Sequence, residues 1–168
     1  IVIGSGAIPP AVLGAPQAAT RNDAPFWTGN PGTASFARSQ DERLTRARAA
    51  IEKLVTVKGP RTIANTLAVY DGALTLLDAA GAQAGLIQNV HPDSAMRAVA
   101  EEESQKVSAL GTEISLDRRV YEALSAVDAS KADAETRFYL ERELRDFRLA
   151  GVDKDDATRA RIKALRDT

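Results

Sequence analysis

From Ser35 onward, apolar residues return every three or four positions, and no stretch alternates with the two-residue period of a strand. That period constrains the chain more than any other feature. A stripe of this kind must be buried against another element, and with no sheet on offer the partner has to be a second helix. Aromatic residues make up only 5% of the sequence while Ala, Leu, Arg and Glu abound, which is the usage of helix-on-helix packing. The expected class is therefore all-α, an antiparallel array of about five helices joined by short loops.

Breaks in the pattern divide the array. Phe36, Leu44, Ala47, Ile51 and Leu54 or Val55 fit one helix face, with Arg43, Arg46, Glu52 and Lys53 off it. Lys58-Gly59-Pro60 ends that helix, since Gly tolerates a left-handed C′ position and Pro cannot continue the ladder. Thr62 then caps a second helix with Ile63, Leu67, Tyr70, Leu74 and Leu77 inward. A third begins at Asp93 or Ser94, after Val90-His91-Pro92, and is expected to run to about Val127. Its stripe is Met96, Val99, Val107, Leu110, Ile114, Tyr121 and Leu124, and the phase slips after Ile114, which calls for a bend between Gly111 and Leu116. Asp128 to Asp133 is a polar turn, and a fourth helix follows with Phe138, Leu140, Leu144 and Phe147 inward. Gly151 is expected at C′ with positive φ, bringing Phe147 and Val152 together as in a Schellman ending. Asp153 would cap the last helix, Asp155 and Asp156 would lie in its first turn, and Ile162 and Leu165 would begin an inward stripe.

Residues 1–34 differ from the helical region 35–168. Ile1 to Thr20 carries no charge up to its last residue and is rich in Ala, Gly and Pro, as the apolar end of a secretory signal is, with small residues at Gly14, Ala15 or Ala18 as cleavage positions. This composition suggests export to a bacterial periplasm. "GSGAIP" begins like a dinucleotide fingerprint but fails on mechanics: Pro9 stands in place of the third Gly, and Pro9-Pro10 remove N–H donors from the turn that would hold a pyrophosphate. Asn22 to Thr33 reads as a loop that Phe26 and Trp27 pin to a surface.

The formal charge of −1 argues against binding to nucleic acid or to an anionic membrane, both of which need a basic excess. With one His and no Cys, the chain holds no ligand set for a catalytic zinc, and neither H-E-x-x-H nor a G-x-S-x-G elbow is present. His91 before Pro92 reads as a loop residue that helps set a helix start. Glu101-Glu102-Glu103 reads as a run of solvated charges, because consecutive helical residues point about 100° apart. Arg142, Arg145 and Arg148 interleave with Glu141, Glu143 and Asp146 in a surface ion-pair lattice. No catalytic, cofactor-binding or metal-binding residue is assigned.

Four blocks carry a resemblance beyond composition: "GPRTIANTLAVYDGAL", "VHPDSAMRAVAEEESQKVSAL", "EISLDRRVYEAL" and "RFYLERELRDFRLAGVDKDDATRARIKALRDT". In this order and spacing the chain, from about Phe36 to Thr168, resembles the N-terminal helical region of the thimet oligopeptidase and neurolysin family of zinc metallopeptidases. The resemblance implies an all-α peptidase, several times longer than this chain, whose two halves enclose a deep channel that admits short peptides and excludes folded proteins. In that family the C-terminal half carries two His and a general-base Glu in H-E-x-x-H with a further Glu as third ligand, and the zinc polarises the scissile carbonyl and activates water. What carries over here is scaffold: Thr62 to Leu77 and Ser94 to Val127 as channel-wall helices and Gly151 as a turn between two of them. On this reading the chain is a truncated N-terminal portion, inactive alone and binding no zinc of its own, whose partner is the missing C-terminal catalytic half. Ile162 and Leu165 would then face water or pack only against Phe147 and its neighbours. Relatives in this family also occur inside cells. A self-contained helical binding or adaptor module, or a helical structural protein sharing only Ala, Arg, Glu and Leu usage, are the other readings.

Overall fold

In a computed structural model, which describes residues 31–166, the chain is all-α. Six α-helices are present among those residues: α1 Thr33–Val55, α2 Ala68–Val90, α3 Ser94–Ser115, α4 Arg118–Ser125, α5 Ala134–Ala150 and α6 Asp156–Arg166. A π-helical turn, Ile63–Leu67, leads into α2, and the only extended pairing among the described residues is an isolated bridge between Arg61 and Val127. The leader, the "GSGAIP" segment, Phe26 and Trp27 lie outside the described residues.

Three long helices form the centre. Gln40 near the start of α1 reaches Gln83 near the end of α2, so these two run antiparallel. A Cβ built on Gly81 or Gly111 would meet Val107 or Leu77, which sets α2 antiparallel to α3 as well. Arg48 pairs with Glu113 and Lys106 with Asp41, so α1 and α3 run parallel on either side of α2. Lying between two neighbours, α2 must bury more than one face. It does so with small side chains: Ala73, Ala80 and Ala84 are wholly buried, and an added Cβ at Gly81 would come 3.3 Å from Val107 Cγ1. Leu44, Ala47, Ile51, Leu54, Leu67, Tyr70, Leu77, Leu110, Ile114, Leu124, Leu140 and Phe147 share the main core. Phe36, Ala84, Ile87, Met96 and Ala100 make a smaller one at the far end of the same three helices.

The helix starts follow the expected chemistry. Thr62 Oγ1 accepts from the Asn65 N–H at 3.2 Å, and Asn65 Oδ1 accepts from the Thr62 N–H at 2.9 Å, a reciprocal capping box. Asp93 accepts from the Ala95 N–H at 2.9 Å, and Asp133 from the Thr136 N–H at 2.7 Å. Arg61 donates to the carbonyls of Leu54 and Val55, covering orphan acceptors at the end of α1.

Several expectations need correction. The single helix from Ser94 to about Val127 is two helices. Leu116 closes α3, then Asp117 turns extended (φ −78°, ψ 106°) and its carboxylate accepts from the Arg119 N–H at 2.8 Å, so the phase slip is absorbed by a break and a new N-cap rather than a bend. Gly59 has positive φ (82°) but lies in the loop, because α1 already closes at Thr56, whose hydroxyl donates to the Glu52 carbonyl at 2.8 Å. The last helix is capped by Asp155, not Asp153: Asp155 accepts from the Thr158 N–H at 2.8 Å, while Asp153 lies in the turn after Gly151, which the Lys154 N–H closes by donating to the Gly151 carbonyl at 3.1 Å. Phe138 is 66% exposed, since it projects opposite to Leu140 and Phe147 on α5, and Leu165 is 69% exposed. No described side chain of α6 is fully buried; the helix is held near its start, where Arg159 donates to the Leu116 carbonyl at 3.0 Å, and at Ile162.

The turn between α5 and α6 has the expected form. Gly151 sits at φ 101°, the Val152 N–H donates to the Phe147 carbonyl and the Gly151 N–H to the Arg148 carbonyl, each at 3.1 Å, and Phe147 and Val152 belong to one core cluster. A Cβ at Gly151 would lie 2.7 Å from Ile162 Cδ1. Gly151→Ala therefore combines a left-handed backbone with a clash, and urea unfolding is expected to show a loss of about 1–2 kcal/mol. In an Ile162→Ala background the same substitution should cost less, because the clash is gone while the backbone term stays.

Candidate functional site

The polar groups that the fold buries lie on the helical stripes themselves. On α1, Phe36, Gln40, Arg43, Ala47, Ile51 and Leu54 follow one another at spacings of three and four, and all are buried. Arg43, expected off the face because it is charged, is only 2% exposed; its position on the stripe outweighs its polarity. Its Nη1 donates to Gln83 Oε1 at 2.6 Å and to Gln40 Oε1 at 3.3 Å, while Gln40 Nε2 donates to Gln83 Oε1 at 3.1 Å. The result is a buried polar link between α1 and α2.

Glu103 repeats the lesson on α3. Glu101 and Glu102 are exposed as expected, but Glu103 falls between Ala100 and Val107 on the stripe and is buried. Lys106 Nζ donates to Glu103 Oε1 at 2.9 Å and to Asp41 at 2.8 Å, and both carboxylates raise the pKa of the ammonium. Glu103 Oε2 is buried without a hydrogen-bond partner. Such an atom costs about 1–3 kcal/mol of desolvation that its neighbours must offset.

The third buried charge is Glu143 on α5. Tyr70 on α2 donates its phenolic O–H to Glu143 Oε2 at 3.0 Å, and Arg142 donates to Oε1 at 3.4 Å. Phe147 tilts against Tyr70, ring centres 5.9 Å apart, and Tyr121 tilts against Phe147 at 6.1 Å. Beside this group lies a cavity of about 210 Å³ lined in part by Leu74, Gly111, Ser115 and Asp146. Burial pushes the Tyr70 phenol far above its ordinary range, and the charge of Glu143 and the hydrogen bond to it push the same way. At neutral pH the phenol keeps its proton and directs it at Glu143 Oε2 in a fixed hydrogen bond. A group this reluctant to ionise is a poor general base. The pair locks α5 to α2.

Other residues singled out in the sequence serve as helix punctuation or surface. His91 Nδ1 accepts from the Asp93 N–H at 3.1 Å, and Arg97 donates to the His91 carbonyl at 2.7 Å, so His91 helps to set the start of α3. Arg145 pairs with Asp146 at 3.3 Å and Arg148 donates to the Tyr121 hydroxyl at 3.4 Å; Glu143, one of the three acids of the expected lattice, is turned into the core although Arg142 still reaches it. Among the described residues, no three His, Cys, Asp or Glu side chains come together as a metal would need, and no helix is long and apolar enough to cross a membrane. No protein-family model matches the chain, and no curated protein matches it.

The buried phenol makes a pH prediction. Burial also raises the pKa of Tyr139, helped by Glu143 and by the hydrogen bond its hydroxyl makes to Asp71 at 3.1 Å. Two of the three tyrosines should thus resist ionisation in an alkaline absorbance titration of the folded chain. Both pKa values are higher in the folded state, so their contribution is whole below the unfolded phenol value of about 10 and is lost as pH rises beyond it. Tyr70→Phe should cost about 1–3 kcal/mol in urea unfolding, since it leaves Glu143 Oε2 without its donor. Adding Glu143→Leu to that variant should recover part of the loss.

Proposed function

We propose that this chain is the N-terminal helical scaffold of a zinc oligopeptidase of the thimet oligopeptidase and neurolysin kind, walling a channel through which short peptides reach a catalytic centre on a C-terminal half. The observation that carries this reading is the use made of the resembling blocks. Each supplies a cap, a break or a turn of one array: the capping box at Thr62, the start of α3 at Asp93, the new N-cap at Asp117, and the left-handed turn at Gly151. Their buried residues, Tyr70, Leu110, Ile114, Leu124, Leu140 and Phe147 among them, belong to one core, as a rigid wall requires.

The described residues do not fit a zinc ion. His91 is committed to the start of α3, and the buried carboxylates Glu103 and Glu143 lie on different helices, each held by its own donor. Zinc binding and water activation therefore belong, on this reading, to the C-terminal half. The residues described here contribute stiffness and the placement of one channel wall.

The reading is tested by following the open frame of the intact gene beyond Thr168. The expected outcome is a frame that reaches H-E-x-x-H and whose full product, once purified, contains stoichiometric zinc and cleaves a quenched fluorescent peptide in a chelator-sensitive way. A stop codon directly after Thr168 would overturn the proposal and leave a self-contained helical binding module.

A further inference from the structure

The face of α5 that points away from the core carries its own pattern. Phe138, Arg142, Arg145 and Leu149 follow at spacings of four, three and four, so they form one stripe along about three turns. Leu140 and Phe147 form the buried stripe on the other side of the same helix. Phe138 is 66% and Leu149 75% exposed, and the Arg142 and Arg145 side chains are 51% and 62% exposed. The spacing is that of a helix-pairing seam, and a helix needs only one such seam to dock on the array. α5 has two.

We propose that this outer seam docks an amphipathic helix of a partner polypeptide, one that presents two apolar side chains a little over three turns apart with carboxylates between them. Charge decides the occupant. The centre of the seam is two guanidiniums, whose acidic contacts are long and made to sequence neighbours: Arg142 to Glu143 at 3.4 Å and Arg145 to Asp146 at 3.3 Å. The Arg142 guanidinium also lies over the Tyr139 ring, 5.9 Å from its centre, and each guanidinium has five N–H donors, more than these contacts use, on a side chain that is at least half exposed. An antiparallel second copy would set Arg against Arg across the seam. An anionic membrane or nucleic acid would meet Glu135, Glu141 and Asp146 along the flanks of a narrow stripe, on a chain of net charge −1. This inference does not depend on the peptidase reading.

The test uses the 168-residue chain and a fluorescein-labelled, stapled helical peptide with the pattern Leu-x3-Glu-x2-Glu-x3-Leu on an Ala background, followed by anisotropy. A matched peptide with Lys in place of both Glu is the control. The Glu peptide should bind saturably and more weakly as salt rises, and the Lys peptide should bind far less. Arg142→Glu combined with Arg145→Glu should weaken the Glu peptide by roughly tenfold or more and strengthen the Lys peptide, a reversal that misfolding would not produce. Phe138→Ser with Leu149→Ser should weaken both peptides while circular dichroism stays unchanged. The proposal is overturned by no saturable binding of the Glu peptide, by equal binding of the two peptides, or by a preference that survives the charge reversal. Binding to phosphatidylglycerol vesicles, or self-association, that needs Phe138 and Leu149 while the peptide stays unbound would overturn it equally.

Discussion

The array depends on α2 lying against α1 and α3 at once. A helix with a single apolar stripe can satisfy one neighbour; a helix between two must let both backbones approach. Leu77 and Tyr70 supply the bulk that fills the core, while Ala73, Ala80, Gly81 and Ala84 keep the flanking surfaces low enough for Val107 to come close. Once α2 is fixed in this way the short loop through His91 returns α3 beside it, and the parallel relation of α1 to α3 follows. Arg48 with Glu113 and Asp41 with Lys106 then bridge the outer edges as half-exposed ion pairs, which add little to stability by themselves and follow the packing rather than cause it.

Three charged residues are buried where the stripes cross the core, and each is handled differently. Arg43 shares its donors with the amides of Gln40 and Gln83, Glu143 takes the hydroxyl of Tyr70, and Glu103 receives Lys106 on one oxygen only. Apolar residues at these positions would bury the same surface without a desolvation cost. What the polar links add is direction, since a hydrogen bond of fixed length and angle fixes how one helix is rotated against another.

The positions of these residues were legible in the sequence, while their burial was not recognised from it. Arg43 and Glu103 stand at three- and four-residue intervals from apolar neighbours, but charge points to solvent for most residues of their kind, so periodicity alone does not mark them as core. The break at Asp117 was legible in the same partial way. The phase slip after Ile114 was visible, and an Asp ahead of a fresh apolar run is an N-cap signal, yet a bend satisfies the same slip. Phe138 misled in the opposite sense: an aromatic residue beside Leu140 reads as core, and only the rotation of α5 against α2 and α4 sends it outward.

By itself the sequence determined the class, the helix starts at Thr62 and at Asp93 or Ser94, and the left-handed turn at Gly151, because these rest on local rules: a 3.6-residue period, a side-chain oxygen within reach of a free N–H, and a residue without a Cβ. The tertiary structure alone decided which stripe residues meet, that α6 is capped from Asp155 and held mainly at Arg159 and Ile162, and that Tyr70 finds Glu143 across 73 residues of chain. Those outcomes depend on the rotation of each helix about its axis and on the choice of neighbour. Both are set by how side chains of several helices fill a shared volume, a quantity no local window of sequence contains.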